Sequence, residues 1–117
     1  MKKILIVEDE EDLCLLYQEE LTDEGYDVTT VREAETALDL LRRERFDLIV
    51  TDIRMPGRDG VELITQIVGL RKDIPIVINT AYQSYKDDFM TWAADAYVVK
   101  SPSLTELKAR IKELLSR

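Results

Sequence analysis

The sequence contains no histidine, and this absence removes several kinds of chemistry at once. Histidine is the commonest general base and metal ligand near neutral pH, so an imidazole can fill neither role here. Cys14 is the only cysteine, which excludes an internal disulfide and a cysteine zinc site. A lone thiol fits a reducing cytoplasm. If the protein carries phosphate covalently, the group must sit on a residue type other than histidine.

Basic residues are scarce relative to acidic ones. The chain has 16 Lys and Arg against 24 Asp and Glu, a formal net charge of −8 at pH 7. This balance argues against direct nucleic-acid binding, which needs a basic face, and disfavours attraction to anionic lipid. The apolar run at 4–7 stops at Glu8, too early for a signal peptide, and no run is long enough to span a bilayer. We expect a cytoplasmic protein with no membrane partner.

The composition is sufficient for one compact domain. The 117 residues are 45% hydrophobic, which is typical of a soluble globular chain that buries a single core. We find no linker, internal repeat or low-complexity segment. One domain over residues 1–117 is therefore expected, with no room inside it for an output domain.

Short apolar runs mark the strands. The runs at 4–7, 48–50 and 76–78 are continuous and rich in branched residues, as in strands buried on both faces of a parallel sheet. The segments 26–31 and 97–99 are shorter or more mixed, which is typical of edge strands.

Five segments with helical spacing follow the strands in turn. Gly25 is expected to stop the first helix, Asp59 to cap the third, and Ser103 with Glu106 to form a capping box at the fifth. Alternation of strand and helix predicts a doubly wound α/β fold, a five-stranded parallel sheet of flavodoxin-like order 2-1-3-4-5 with five helices. The apolar stripes are Leu13, Leu16, Tyr17 and Leu21; Ala34, Ala37, Leu38 and Leu41; Val61, Ile64, Ile67 and Val68; Tyr85, Phe89, Trp92 and Ala93; and Leu104, Leu107, Ile111 and Leu114.

Polar residues follow four of the predicted strands. In this fold, the carboxyl ends of the strands meet at one rim, where ligands bind. Three carboxylates in one cleft repel one another unless a cation is present, and oxygen ligands suit Mg²⁺. A lysine and a hydroxyl beside an aspartate could stabilise a transferring phosphoryl group, with the aspartate as nucleophile. The residues at the strand ends are Glu8, Asp9, Asp52, Thr80 and Lys100.

Four segments in the expected order resemble the motifs of response-regulator receiver domains. They are the acidic pair within 4–10, the phosphoacceptor segment 52–60, the hydroxyl segment 76–81, and the segment 96–100 that ends in lysine. Each motif alone is weak, whereas the four together are specific and span nearly the whole chain. The resemblance implies a two-component signalling switch that catalyses only its own aspartyl phosphorylation and dephosphorylation, rather than an enzyme.

The resemblance also implies roles for individual residues. Asp52 would be the phosphoacceptor and a Mg²⁺ ligand. Asp9 would bind the metal directly, Glu8 through water, and Arg54 through its backbone carbonyl.

Further residues would hold the phosphoryl group and transmit its presence. Lys100 and Thr80 would contact the phosphoryl oxygens, and Thr80 and Tyr97 would form the switch, the Tyr97 ring turning inward as Thr80 moves. Arg54 and Tyr82 could act as a gate over the site. The output surface would be the fourth helix, fifth strand and fifth helix.

The implied partners are those of a phosphorelay. The donor would be a histidine kinase or a phosphotransfer protein, and the output partner is an unknown protein. The resemblance also allows a phosphorylation-dependent homodimer.

One departure from the family pattern concerns the residue after the lysine. The family usually has proline there, often with a cis bond, whereas here Ser101 comes between Lys100 and Pro102. A cis bond before a residue other than proline costs several kcal/mol, so the geometry of this bond stays open.

The sequence also bears on three other functions. A Mg²⁺-dependent phosphohydrolase typically has a second acid two residues after its nucleophile, where this chain has Arg54. A flavin-binding domain would need a phosphate loop after strand one, where Glu8 and Asp9 would repel the phosphate. A receiver-like module that binds partners without phosphorylation is the alternative that the sequence excludes least well.

Overall fold

The computed structural model describes residues 1–55, 58–70, 73–81 and 94–117, with 54–55 and 58–61 described by their backbone alone. Five parallel strands form one sheet: β1 Lys3–Val7, β2 Asp27–Val31, β3 Leu48–Thr51, β4 Ile76–Thr80 and β5 Ala96–Val99. Their spatial order is β2-β1-β3-β4-β5. The predicted strand order is therefore confirmed, and the two segments predicted as edge strands do lie at the edges.

Four helices lie within the described residues: α1 Glu11–Asp23, α2 Ala34–Arg43, α3 Gly60–Leu70 and α4 Thr105–Leu115. Gly25 has a φ of 96°, a backbone conformation that glycine adopts easily, so it ends α1 as predicted. The helix predicted around 85–93 lies outside the described residues.

One local prediction is wrong, and one local element was not predicted. The capping box at the start of α4 is wrong, because the helix begins at Thr105 and has no side-chain cap. Ser103 instead accepts a hydrogen bond from the Thr105 backbone N–H at 3.3 Å. A two-residue antiparallel hairpin that we did not predict pairs Arg54–Met55 with Arg58–Asp59 just before α3.

Strand alternation divides the core between the two faces of the sheet. Successive strand residues point to opposite faces, so each strand supplies both layers. Helices α2 and α3 pack on one face, the α2–α3 face, and helices α1 and α4 pack on the other, the α1–α4 face. The strand residues of the α2–α3 face include Leu5, Val7, Ile49, Ile76, Ile78 and Tyr97. Those of the α1–α4 face include Ile4, Ile6, Leu48, Val50, Val77 and Val98.

Candidate functional site

The strand register sets the polar residues that follow β1 and β3 side by side. Val7 pairs with Thr51, so Glu8 and Asp52 occupy matching positions one residue later. The Asp52 backbone N–H still donates to the Val7 carbonyl oxygen, 3.4 Å away. Two residues earlier, Ile6 and Val50 belong to the α1–α4 face, so alternation directs Glu8 and Asp52 to that face as well.

Lys100 bridges these two carboxylates. It follows β5 directly, and its backbone N–H donates to the Thr80 carbonyl oxygen at 2.6 Å. Its ammonium lies 2.8 Å from Asp52 Oδ2 and 2.8 Å from Glu8 Oε1. The structure thus brings together three of the predicted site residues from three different strand ends, and all three side chains are largely buried.

Burial and charge together set the protonation of this group. Burial raises the pKa of Glu8, and the nearby Asp52 charge adds to the rise, while the bonds from Lys100 and the Glu10 N–H oppose it. Burial alone would lower the pKa of Lys100, but its bonds to both carboxylates outweigh burial and raise that pKa. Lys100 is therefore held as a cation, and the three charged groups depend on one another.

Backbone and side-chain contacts fix the segment that follows β1. The Glu10 backbone N–H donates to Glu8 Oε2 at 3.1 Å, and Arg32 Nε donates to the Asp9 carbonyl oxygen at 3.0 Å. The Cys14 thiol lies 3.1 Å from the Glu8 carbonyl oxygen. Burial, reinforced by the Glu8 charge, raises the pKa of Cys14, so this thiol packs rather than reacts.

The geometry of a metal site is only partly formed. Among the described residues, no three acidic or cysteine side chains lie close enough to hold a metal ion. Lys100 instead occupies the space between Glu8 and Asp52, while Asp9, the next residue along, is half-buried. The donors present are carboxylate oxygens with no nitrogen or sulfur ligand, which is the chemistry that Mg²⁺ prefers. The residues therefore fit a hard cation that keeps several water ligands better than a cation whose ligands all come from the protein.

Thr80 and Tyr97 lie on the opposite side of the sheet from the ion pairs. Thr80 is fully buried at the end of β4, two residues after Ile78 of the α2–α3 face. Tyr97 pairs in register with Ile78. It is 7% exposed, so its ring already lies inside the core in this structure. The inward position that we predicted for the switched state is thus the one observed here.

The remaining predicted site residues are described only in part. Arg54 begins the short hairpin, where it pairs with Asp59, but its side chain lies outside the description, as does all of Tyr82. The peptide bond between Lys100 and Ser101 is trans, which answers the question left open by the sequence.

Two residues near the site were not among the predicted site residues. Asn79 is 4% exposed and Tyr17 is 3% exposed, and the Tyr17 hydroxyl meets the Asn79 side chain. Burial raises the pKa of Tyr17, and its hydroxyl also feels the charges of the ion pairs. The signal in the sequence was the amide of Asn79, which directly follows the apolar run 76–78 and precedes Thr80.

Comparison with known proteins agrees with this fold. Residues 4–112 match the family described as response regulator receiver domain. The match covers most of the chain, and the chain belongs to this family.

Individual relatives support the assignment. The chain is 39% identical over 118 residues to the alkaline phosphatase synthesis transcriptional regulatory protein PhoP of Bacillus subtilis, covering 99% of this chain. It covers 49% of PhoP, so the chain spans about half the length of that relative.

Solved structures show the same likeness. The response regulator protein TrrA of Thermotoga maritima, in complex with Mg²⁺ and BeF, superposes with a TM-score of 0.91 at 44% identity, covering 97% of this chain and 99% of TrrA. TrrA in complex with the histidine kinase ThkA gives a TM-score of 0.90 at 44% identity, covering 98% and 99%. No helix in the described ranges combines the length and the apolar character needed to cross a membrane.

Proposed function

We propose that this domain accepts a phosphoryl group on Asp52 in a Mg²⁺-dependent transfer and thereby changes its binding to a partner protein. The observation that carries the proposal is the position of Asp52 at a sheet rim, with its carboxylate 2.8 Å from the Lys100 ammonium. A carboxylate oxygen is a competent nucleophile toward phosphorus. The new bond joins Asp52 to phosphorus, and the bond from phosphorus to the donor breaks, its electron pair leaving with the donor.

The residues around Asp52 would form two groups, one that binds the phosphoryl oxygens and one that binds Mg²⁺. Lys100 would pair with the phosphoryl oxygens, and the Thr80 hydroxyl would donate to another of them. Asp9, Asp52 and the Arg54 carbonyl would hold Mg²⁺, with Glu8 acting through water. Bound Mg²⁺ would neutralise part of the charge that develops on the transferring group. Two carboxylates and one ammonium leave an excess of negative charge, which favours a second cation.

The donor would be a histidine kinase or a phosphotransfer protein. TrrA, which resembles this chain over nearly its full length, is found in complex with the histidine kinase ThkA. These 117 residues contain no histidine, so a phosphohistidine that supplies the group must lie outside them. We place the exchange in the cytoplasm, with which the free, buried Cys14 is compatible.

The signal would pass through Thr80 and Tyr97 to the predicted output surface, which consists of β5, α4 and the helix predicted around 85–93. Tyr97 belongs to the α2–α3 face, and strand alternation puts Thr80 on the same face, so movement of Thr80 toward the phosphoryl group would change the packing next to Tyr97. Because Tyr97 is already buried, phosphorylation would stabilise this inward ring rather than create it. The output partner is a protein, with no direct contact to nucleic acid, and a second phosphorylated copy is one candidate.

The experiment is chemical labelling of the purified protein. With Mg²⁺ and a small phosphoryl donor such as phosphoramidate, wild type should gain one phosphoryl group that base or hydroxylamine removes, as expected of an acyl phosphate. Asp52→Asn should gain none. Asp39→Asn is the matched control, since Asp39 is exposed and pairs only locally with Arg42. Equal labelling of wild type and Asp52→Asn would refute the assignment.

A further inference from the structure

Tyr17 of α1 and Asn79 of β4 form a buried polar pair next to the proposed phosphorylation site. Both residues are at least 96% buried, and the Tyr17 hydroxyl is hydrogen-bonded to the Asn79 side chain. The three residues before Asn79 in β4 are apolar. An apolar residue at this position would be buried without needing a hydrogen-bond partner, so packing alone does not account for an amide here.

The register places Asn79 between the acceptor and the strand that leads to Lys100. Thr51 pairs with Ile78, so Asp52 and Asn79 match one residue later, and Asn79 pairs with Val98 on its other side. Neighbouring strands are about 4.8 Å apart. The Lys100 side chain starts beyond β5, yet its ammonium reaches carboxylates that follow β3 and β1. It must therefore cross the end of β4, where Asn79 lies.

A cavity lies beside this path. It has a volume of about 240 Å³ and separates the start of α4 from α1. Tyr17 and Asn79 both border it, and the Tyr17 hydroxyl also feels the charges of Lys100, Glu8 and Asp52. A lysine side chain is flexible and has many rotamers. Lys100 could therefore adopt other rotamers that enter this cavity and take its ammonium away from the carboxylates. The Tyr17–Asn79 pair therefore borders the cavity and also lies near the ion pairs.

We propose that Tyr17 and Asn79 are positioning residues for phosphoryl transfer: together they keep the Lys100 side chain out of the cavity and its ammonium on Asp52. The Tyr17 hydroxyl fixes the orientation of the Asn79 amide, and the amide supports the lysine stem where it crosses β4. This inference rests on the proposed function of Asp52, and it predicts that the pair acts on the transfer rate only through Lys100.

The test compares labelling rates of single and double variants with phosphoramidate and saturating Mg²⁺. Tyr17→Phe and Asn79→Leu should each slow labelling of Asp52 roughly fivefold, the change expected for losing about one hydrogen bond. In a Lys100→Met background, the same substitutions should cause no further slowing, because the group they position is gone. Glu106→Gln is the control, since it changes another residue of the cavity wall and should leave the rate unchanged.

Three results would overturn the inference: no slowing by either variant, equal slowing with and without Lys100, or equal slowing by Glu106→Gln. A second readout does not need phosphorylation. Free energies of unfolding in urea should show that Tyr17→Phe and Lys100→Met are non-additive, whereas Glu106→Gln and Lys100→Met are additive. If wild type takes no label, the proposed function fails, and the unfolding measurements still decide whether the pair positions Lys100.

Discussion

Glu8 and Asp52 occupy matching positions after two neighbouring strands, and each carboxylate lies 2.8 Å from the same ammonium. Their burial makes this shared cation important, because a buried charge that loses its partner is costly. Three predictions follow from this arrangement, and a fourth concerns Tyr97 on the other face of the sheet.

Lys100→Met should destabilise the fold in a pH-dependent way. Burial already raises the folded-state pKa of Glu8 above its ordinary 4.5, and the variant removes the bond that opposes this rise. A raised carboxyl pKa means that stability is greatest below about 4.5 and falls as pH rises through the folded-state pKa. We expect a loss of about 3 kcal/mol at pH 7 and a much smaller loss at pH 4, measured by urea unfolding.

The control for this prediction is Lys112→Met. Lys112 is exposed in α4, and its removal should change stability by less than about 0.5 kcal/mol at either pH. A loss in Lys100→Met that is the same at pH 4 and pH 7 would show that packing of the lysine stem, rather than charge, is what matters.

Glu8→Gln should stabilise the protein at neutral pH. Because the pKa of Glu8 is raised, the folded state favours the neutral form, and the amide supplies a neutral group of the same shape. The melting temperature should rise relative to wild type at pH 7, and the difference should shrink toward pH 4, where wild-type Glu8 also becomes neutral. Calorimetry at both values checks this, and a lower melting temperature at pH 7 would contradict it.

Lys100 and Mg²⁺ should compete for the same carboxylates. Replacing Lys100 by Met removes the resident positive charge, so Mg²⁺ affinity should increase on the order of tenfold. We expect millimolar Mg²⁺ to raise the melting temperature of wild type by linkage, and Asp9→Asn to abolish that rise. Titration calorimetry measures the affinities and thermal unfolding measures the melting temperatures, with Asp39→Asn as the exposed control. Unchanged affinity in Lys100→Met would exclude competition.

Tyr97 should contribute strongly to stability through its ring and little through its hydroxyl. The side chain is 7% exposed within the core of the α2–α3 face. Tyr97→Ala should cost about 3 kcal/mol in the free energy of unfolding, whereas Tyr97→Phe should cost less than about 1 kcal/mol. If Tyr97→Ala is as stable as wild type, the ring is not buried in the unphosphorylated protein. The original prediction, that the ring turns inward only on phosphorylation, would then hold.

The sheet and its rim could be predicted because they depend on local patterns. Branched apolar runs identify central strands, and in this topology every strand ends at the same rim, so Glu8, Asp52 and Lys100 had to approach one another. That one ammonium would bridge both carboxylates could not be predicted, since it depends on how a flexible side chain crosses β4.

Other features could not be predicted from the sequence, for different physical reasons. The start of α4 differs by one residue from the prediction because Ser103 bonds locally to Thr105 instead of joining a capping box. Tyr17 and Asn79 meet through long-range packing of α1 against β4, and a single sequence carries no direct signal of that contact. The position of Tyr97 depends on the core around it, which strand propensity does not specify.

The adjacent residues Asn79 and Thr80 point to opposite faces of the sheet, so the two layers have different parts in the proposed mechanism. The ion pairs lie with α1 and α4, whereas the residues proposed to move lie with α2 and α3. A phosphoryl group on Asp52 would sit at the rim, where Lys100 approaches it from one layer and Thr80 from the other. The two layers can then accumulate substitutions separately in evolution, with a single covalent group as their shared connection.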